Sequence, residues 1–337
     1  MCQVRGTVIT HPEKVLFPDH GITKGELCDY YQAVAPLMVP HIAGRPVTME
    51  RFPAGIDKKG FIQKDVSKGF PDWLQRVAVA KRQGEPGEEV HYPLVTDERA
   101  LVWLANQNSI TPHVWTSRVP KLQQPDLCVF DLDPPDEDPG KLRTAALAVR
   151  GLLDELGLLS FVKTSGSKGF HIVVPLDRQA DFDVVWRFGH GAGAVLVKRH
   201  PTLLTQEFIK ADRAGRILVD TGRNLAGATF AAVYAVRPKP GAPVSAPCTW
   251  DEVEHGRAEP RTFTLRTMAK RWAQVGDLWQ GIERQARALA EPVAALERLL
   301  TPDDWREAHA ATTRRPTSRK APPRTRVAKS KQKSEHR

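Results

Sequence analysis

Val129-Phe130-Asp131-Leu132-Asp133-Pro134 sets two carboxylates two residues apart inside an apolar stretch. Such a run reads as a β-strand, and because successive strand side chains alternate faces, Asp131 and Asp133 project from the same one. Two carboxylates that close repel each other and are costly to take out of water, so positive charge belongs between them. Oxygen donors of this kind suit Mg²⁺ or Mn²⁺ rather than zinc. The stretch therefore predicts a metal-dependent site built on a sheet.

Downstream, apolar positions recur at helical spacing over 142–156, and Val173 and Val174 close a short strand run after Gly169. A helical stretch follows over 182–199, then strands near 216–219 and 230–236. This alternation is the order of an α/β or α+β sandwich whose sheet holds the carboxylate strand near its middle. The first hundred residues mix the same elements, with a helix over 24–38 and strands near 45–51 and 60–64. Residues 281–311 read as two helices broken at Thr301-Pro302, with Thr301 as the cap and Pro302 at the first helical position. No internal repeat is present.

Two further constellations carry chemistry. Thr164-Ser165-Gly166-Ser167-Lys168-Gly169-Phe170-His171 is a small-residue loop between strand runs, with amides, hydroxyls and a lysine that donate to an anion. Its spacing differs from the GxxxxGK[ST] phosphate loop, and a strand rather than a helix follows. Ile217-Leu218-Val219-Asp220 is a second apolar run ending in a carboxylate, followed by Arg223 and Asn224. An aspartate at a strand end is commonly a turn former. Joined to Asp131 and Asp133, Asp220 completes a three-carboxylate set able to hold two cations for nucleotidyl transfer.

Composition narrows the class. A chain of 337 residues with 41% hydrophobic content builds a globular core. Cys2, Cys28, Cys128 and Cys248 show no CxxC spacing, which argues against a structural zinc site or a disulfide framework and fits a reducing cytoplasm. No stretch approaches the roughly 20 apolar residues of a membrane span, and no signal-peptide pattern opens the chain. The net charge of +10 sits almost wholly in the last 24 residues, which hold ten Lys and Arg against the single acid Glu335. The remainder is nearly neutral. That tail, rich in charge and proline, has too little apolar surface to offset its ordering entropy and reads as disordered.

Taken together, these pieces resemble the polymerase module of bacterial ligase D, the end-joining branch of the archaeo-eukaryotic primase superfamily. The resemblance covers about residues 7–285. It runs in order through Glu13-Lys14-Val15-Leu16-Phe17-Pro18, Thr23-Lys24, His41-Ile42-Ala43-Gly44-Arg45-Pro46, Phe61-Ile62-Gln63-Lys64 and Trp103-Leu104-Ala105. It continues through the carboxylate strand and the 164–171 loop to Tyr234-Ala235-Val236-Arg237, Gly241-Ala242-Pro243-Val244-Ser245 and Thr249-Trp250-Asp251-Glu252.

The resemblance implies a primase-polymerase fold with an RRM-like catalytic sheet. An N-terminal α/β lobe (about 1–115) packs on a catalytic lobe (about 116–285), followed by a helical segment (286–311) and the basic tail (312–337). It further implies that Asp131, Asp133 and Asp220 bind two catalytic Mn²⁺ or Mg²⁺ ions. Ser165, Ser167, Lys168, His171, Arg223 and Arg237 would hold the incoming triphosphate. His113 lies near the nucleotide sugar, where a polar contact to the 2′-hydroxyl would favour rNTP over dNTP. Lys14 and Lys24 would hold the 5′-phosphate of a gapped or broken DNA end, although lysines taken singly read as solvated surface residues. Phe61 would stack on a template base.

Partners implied are DNA, nucleotides, Ku and a separate ligase. The expected setting is a monomer in the cytoplasm, at the nucleoid. Three positions depart from the family pattern: Ile62 replaces a second aromatic, Glu50 stands where some relatives carry a lysine, and Thr221-Gly222 stand where an aromatic commonly follows the third aspartate. No KxDG motif of a ligase is present, the nearest string being Asp57-Lys58-Lys59-Gly60, so the expectation is a stand-alone polymerase unable to seal nicks. Two alternatives remain: an inert DNA-end-binding protein, and a DxD phosphatase of the haloacid dehalogenase type. Pro134-Pro135 fits the phosphatase poorly, because a Thr or Val usually follows its aspartates.

Overall fold

The structure, a computed structural model, describes residues 3–4, 7–66, 69–81, 85 and 87–313. The predicted tail beyond Thr313 and Cys2 lie outside the described residues. The chain opens with two small hairpins, β1 (Gln3–Val4) with β2 (Thr7–Val8) and β3 (Val15–Phe17) with β4 (Ile22–Thr23). Thr23 then caps α1 (Lys24–Ile42): its hydroxyl accepts from the Glu26 amide at 3.2 Å and the Glu26 carboxylate accepts from the Thr23 amide at 3.0 Å. The helix runs past its predicted end at Met38. Leu27, Tyr31, Val34, Met38 and Ile42 form one buried stripe that continues to the last turn.

The first lobe continues with β5 (Val47–Arg51), β6 (Phe61–Gln63), a hairpin of β7 (Arg76–Ala80) and β8 (Glu89–Pro93), α2 (Glu98–Asn106) and β9 (Ser109–Val114). Strand β5 lies between β6 and β9, antiparallel to both. The second lobe comprises β10 (Leu127–Asp133), α3 (Pro139–Glu155), β11 (Phe161–Thr164), β12 (Phe170–Pro175), α4 (Phe182–Arg199), β13 (Leu204–Thr205) and β14 (Ile217–Asp220). After β14 the chain crosses back, and β15 (Phe230–Ala231) pairs with β9 in the first lobe. It then returns as β16 (Pro247–Cys248) to complete a six-stranded sheet in the order β13-β14-β10-β12-β11-β16. The carboxylate strand β10 is central and antiparallel to both neighbours.

The predicted strand over 230–236 ends after Ala231. Beyond it, hydroxyl groups from α1 replace a strand partner: Tyr30 donates to the Tyr234 carbonyl at 2.7 Å and Tyr31 accepts from the Val236 amide at 3.1 Å. Tyr234 itself adopts φ +63°, which no extended strand accommodates. One buried core runs through both lobes, which are further tied by Arg45 reaching Asp126 bidentately at 2.6 and 2.8 Å.

Short helices α5 (Trp250–Glu254) and α6 (Met268–Val275) precede the C-terminal pair, α7 (Ala290–Leu299) and α8 (Pro302–Thr313). The break falls at the predicted Thr301-Pro302, where the Thr301 hydroxyl accepts from the Asp304 amide and Asp304 accepts from the Thr301 amide. Both helices dock on α4. Gly191 leaves room for Trp305, since a Cβ there would lie 2.5 Å from the indole. Trp279 is buried, and Trp250, Trp272 and Trp305 pack against the core. Cys28, Cys128 and Cys248 are buried, and no helix among the described residues is long and apolar enough to cross a membrane.

Candidate active site

The pleat of β10 buries Leu132 and turns Asp131 and Asp133 to the opposite face. Asp131 stands directly across from His171 on β12 and from Asp220 on β14. Opposed residues of antiparallel strands share a face, so His171, Asp131 and Asp220 form a row across three strands, with Asp133 one step along.

Positive charge sits where the sequence requires it, and two arginines supply it. Arg223 places Nε 3.1 Å from Asp131 and Nη2 3.2 Å from Asp220. Arg213, itself buried, places Nη1 2.8 Å from Asp133 and donates its other nitrogens to the carbonyls of Glu207 and Phe208. Burial pushes the Asp131 carboxyl up to about 6, against the pull of Arg223 and with the charges of Asp220 and Asp133 adding to the rise. Asn224 fixes Arg223 in place by acting as a substitute strand. Its amide accepts from the Val129 N–H and donates to the Val129 carbonyl, both at 2.8 Å, just where β14 has left the edge of β10.

The 165–169 loop joins β11 to β12 beside this row. Gly169 comes so close to β10 that a Cβ would lie 1.7 Å from the Leu132 carbonyl oxygen, so only glycine fits. Gly166 takes φ +64° and would otherwise collide with Arg237. The Ser165 hydroxyl is turned inward, accepting from the amides of Ser167 and Gly169 at 3.1 and 3.0 Å, so those two amides hold the loop's own shape. Arg237 donates to the Ser165 carbonyl at 2.9 Å and Arg261 to the Ser167 carbonyl at 2.8 Å, while Lys168 stays exposed. Beneath the loop, His171 sets Nε2 3.4 Å from Asp131 and Nδ1 2.7 Å from the Lys163 ammonium. A cleft of about 350 Å³ is lined by all of Asp131, Asp133, Asp220, Ser165, Ser167, Lys168, His171, Arg223 and Arg237, with Arg213 and Phe208 at its far side.

The donor set fits a hard divalent cation, being three carboxylates on one face with no sulfur nearby. Among the described residues no three His, Cys, Asp or Glu side chains already converge as a metal cluster; the carboxylates turn instead to Arg213 and Arg223.

The remaining candidates lie elsewhere. His113 on β9 bonds the Glu50 carboxylate at 3.0 Å. Burial lowers the proton affinity of the His113 ring, outweighing that bond, and the charges of Arg237 and Arg223 lower it further. Burial alone would raise the Glu50 carboxyl, but His113 and Arg237 hold it below its ordinary value. Lys14 and Lys24 flank the β3–β4 hairpin, with the Lys24 amide on the Lys14 carbonyl at 2.8 Å. Lys24 departs from the surface-lysine expectation. It is buried, its ammonium donating to the Thr10 hydroxyl at 2.9 Å and the Asn106 carbonyl at 3.3 Å. Phe61 and Ile62 are 47% and 55% exposed, and the Arg51 guanidinium lies 5.4 Å from the Phe61 ring centroid. Sequence reasoning missed Arg213 and Lys163. The signal for Lys163 was present, a lysine inside the apolar run Phe161-Val162-Lys163-Thr164; nothing in the sequence ties Arg213 to Asp133.

Comparison with known proteins follows the same lines. Residues 23–279 match the family model for the LigD primase-polymerase domain, a span holding every candidate site residue except Lys14. The multifunctional non-homologous end joining protein LigD of Mycolicibacterium smegmatis is 35% identical over 283 residues, 82% of this chain and 36% of that protein. The LigD of Pseudomonas aeruginosa is 34% identical, over 79% of this chain and 31% of its own length. The chain thus spans about a third of the length of these relatives. Among solved structures, the polymerase domain of Mycobacterium tuberculosis ligase D in complex with DNA superposes with a TM-score of 0.77 at 34% identity, covering 83% of this chain and 99% of that one.

Proposed function

Since the chain belongs to the LigD primase-polymerase family, we propose that it is a nucleotidyltransferase that extends a primer 3′-hydroxyl at short gaps or double-strand break ends, copying a template and preferring rNTP. One observation carries this reading: three carboxylates share a face and a cleft with a basic, glycine-shaped loop. That pairing is what phosphoryl transfer between two polyanions needs, because its catalysis is positioning and charge stabilisation rather than covalent chemistry.

Asp131, Asp133 and Asp220 would hold divalent cations, Mg²⁺ or Mn²⁺. When bound, these supply charge neutralisation on the triphosphate and lower the pKa of the attacking hydroxyl. Lys168, Arg237 and the Nε2 side of His171 face the cleft from the loop side and would anchor the triphosphate there. Arg223 and Arg213 offset the mutual repulsion of the carboxylates. His113, oriented by Glu50, would meet the sugar. Lys14, joined by Lys24 once its contacts to Thr10 and Asn106 open, would recognise a 5′-phosphate, and Phe61 would stack on the template. DNA is the macromolecular substrate, with Ku and a ligase as the partners such repair requires.

The test is primer extension on a gapped duplex bearing a 5′-phosphate, with rNTP or dNTP and with Mn²⁺, Mg²⁺ or EDTA. Metal-dependent addition that favours rNTP is expected. DNA binding without addition under any metal would instead establish the inert end-binding protein.

A further inference from the structure

Lys163 has no exposed surface, lies directly across from His171 in the β11–β12 ladder, and has no part in the reading above. Burial and the charge of Arg237 lower the proton affinity of Lys163 well below its ordinary value, while Asp131 raises it; as an ammonium the group carries three protons and needs three acceptors. It has them: the Ala231 carbonyl at 3.0 Å, the Ser245 hydroxyl oxygen, and Nδ1 of His171 at 2.7 Å. The first two are unambiguous. A carbonyl only accepts, and the Ser245 proton is committed to the Thr164 carbonyl at 2.9 Å, leaving its oxygen as an acceptor toward Lys163. The third proton therefore falls to His171 Nδ1.

A neutral imidazole that accepts at Nδ1 carries its proton at Nε2. The far side of the ring demands the same arrangement. Nε2 faces Asp131 at 3.4 Å, where a lone pair would oppose a carboxylate oxygen and an N–H is attracted to it. Phe230 packs edge-on against the imidazole, with ring centroids 6.0 Å apart, and limits its rotation. We propose that Lys163 is a positioning residue that locks His171 as an Nε2–H donor at the floor of the cleft, so that a nucleotide phosphate oxygen meets a hydrogen-bond donor rather than a lone pair. The phosphate half of this inference rests on the polymerase reading; the tautomer half does not. An apolar residue at 163 would fill the space but leave Nδ1 free to take the proton. A deprotonated lysine would invert the tautomer by accepting from Nδ1–H.

The deciding measurement is a long-range ¹H–¹⁵N spectrum of the full chain labelled at histidine, with the His171 signals assigned by their loss in His171→Gln. Nε2–H in the wild type is expected; Nδ1–H overturns the proposal without any variant. Lys163→Met should then populate both tautomers. It should weaken binding of a non-hydrolysable NTP with Mg²⁺ by about tenfold to a hundredfold, the worth of a hydrogen bond to a charged group, while affinity for gapped DNA holds. In the His171→Gln background, whose amide offers an N–H near the Nε2 position, Lys163→Met should cost no further nucleotide affinity. Undiminished nucleotide affinity and retained Nε2–H in folded Lys163→Met would overturn the assignment. A wild type that binds no nucleotide would sink the polymerase reading and the phosphate half with it, leaving the tautomer to the spectrum.

Discussion

The six-stranded sheet and the N-terminal lobe treat charged side chains in opposite ways. Across β14, β10 and β12 the chain concentrates Asp220, Asp131 and His171 in one row, answers the carboxylate repulsion with Arg223 and Arg213, and holds His171 with Lys163. The N-terminal lobe keeps its candidates apart: Glu50 with His113 on the sheet, Lys14 and Lys24 at a hairpin, Phe61 exposed on β6. Crowding of charge is tolerated where a substrate or ion of opposite sign completes it, and a DNA-holding surface works better spread out, since a long polyanion is gripped at many separate points. The six-stranded sheet should therefore answer to tests of chemistry, the N-terminal lobe to tests of binding.

The largest effect expected is on the six-stranded sheet. Asp131→Asn should lower primer extension by about a thousandfold or more, corresponding to several kcal/mol of lost transition-state stabilisation, with DNA affinity retained. Extension at the wild-type rate by a pure preparation would break the contrast outright.

Next come the two lysines of the hairpin, which should part company. Lys24→Met strands the Thr10 hydroxyl and the Asn106 carbonyl and should cost about 2–3 kcal/mol in chemical denaturation. Lys14→Ala should leave stability within about 0.5 kcal/mol of wild type and remove preference for a 5′-phosphorylated gap. Equal stability of the two variants would mean that Lys24 is held no more firmly than Lys14.

Phe61→Ala should weaken gapped-DNA binding about tenfold, near the middle of the range for one aromatic–base stack, without changing the rate at saturating DNA. A fall in the saturated rate would place Phe61 nearer the chemistry than the contrast allows.

The last effect, one of stability alone, lies behind the six-stranded sheet. On α4, burial, reinforced by nearby His309, lowers His190 from 6.5 to about 4. The unfolded chain then takes up this proton more readily than the folded one between those values, so stability is full above about pH 6.5 and falls as the pH drops toward 4. Allowing for partial solvent screening, the loss is about 2 kcal/mol. Denaturation of wild type and His190→Phe at pH 7 and pH 4.5 checks it: the variant should lose less stability on acidification, and identical losses would exclude His190 as a source.

Much of this was legible in the chain. Alternation in Val129-Phe130-Asp131-Leu132-Asp133 determined a strand with both carboxylates on one face, because side-chain direction along a strand is a local property. The Thr301-Pro302 break and the α4 boundaries were equally local, set by capping and helical periodicity. Ordered motifs brought Asp220 and the 165–169 loop to the same site. What the sequence did not carry were facts of pairing and burial. The 230–236 run looked like a strand because its composition is apolar; two tyrosine hydroxyls from α1, some 200 residues away in sequence, satisfied its backbone instead. Lys24 and Lys163 look alike as letters, yet one grips a hairpin and the other fixes a histidine. Arg213 and Arg223 became the counter-charges of the carboxylates only when β14 settled beside β10 and the Asn224 amide closed the ladder. Local chemistry dictated which groups could act. Strand register and the low polarity of the interior, which no short window of sequence contains, decided which of them meet.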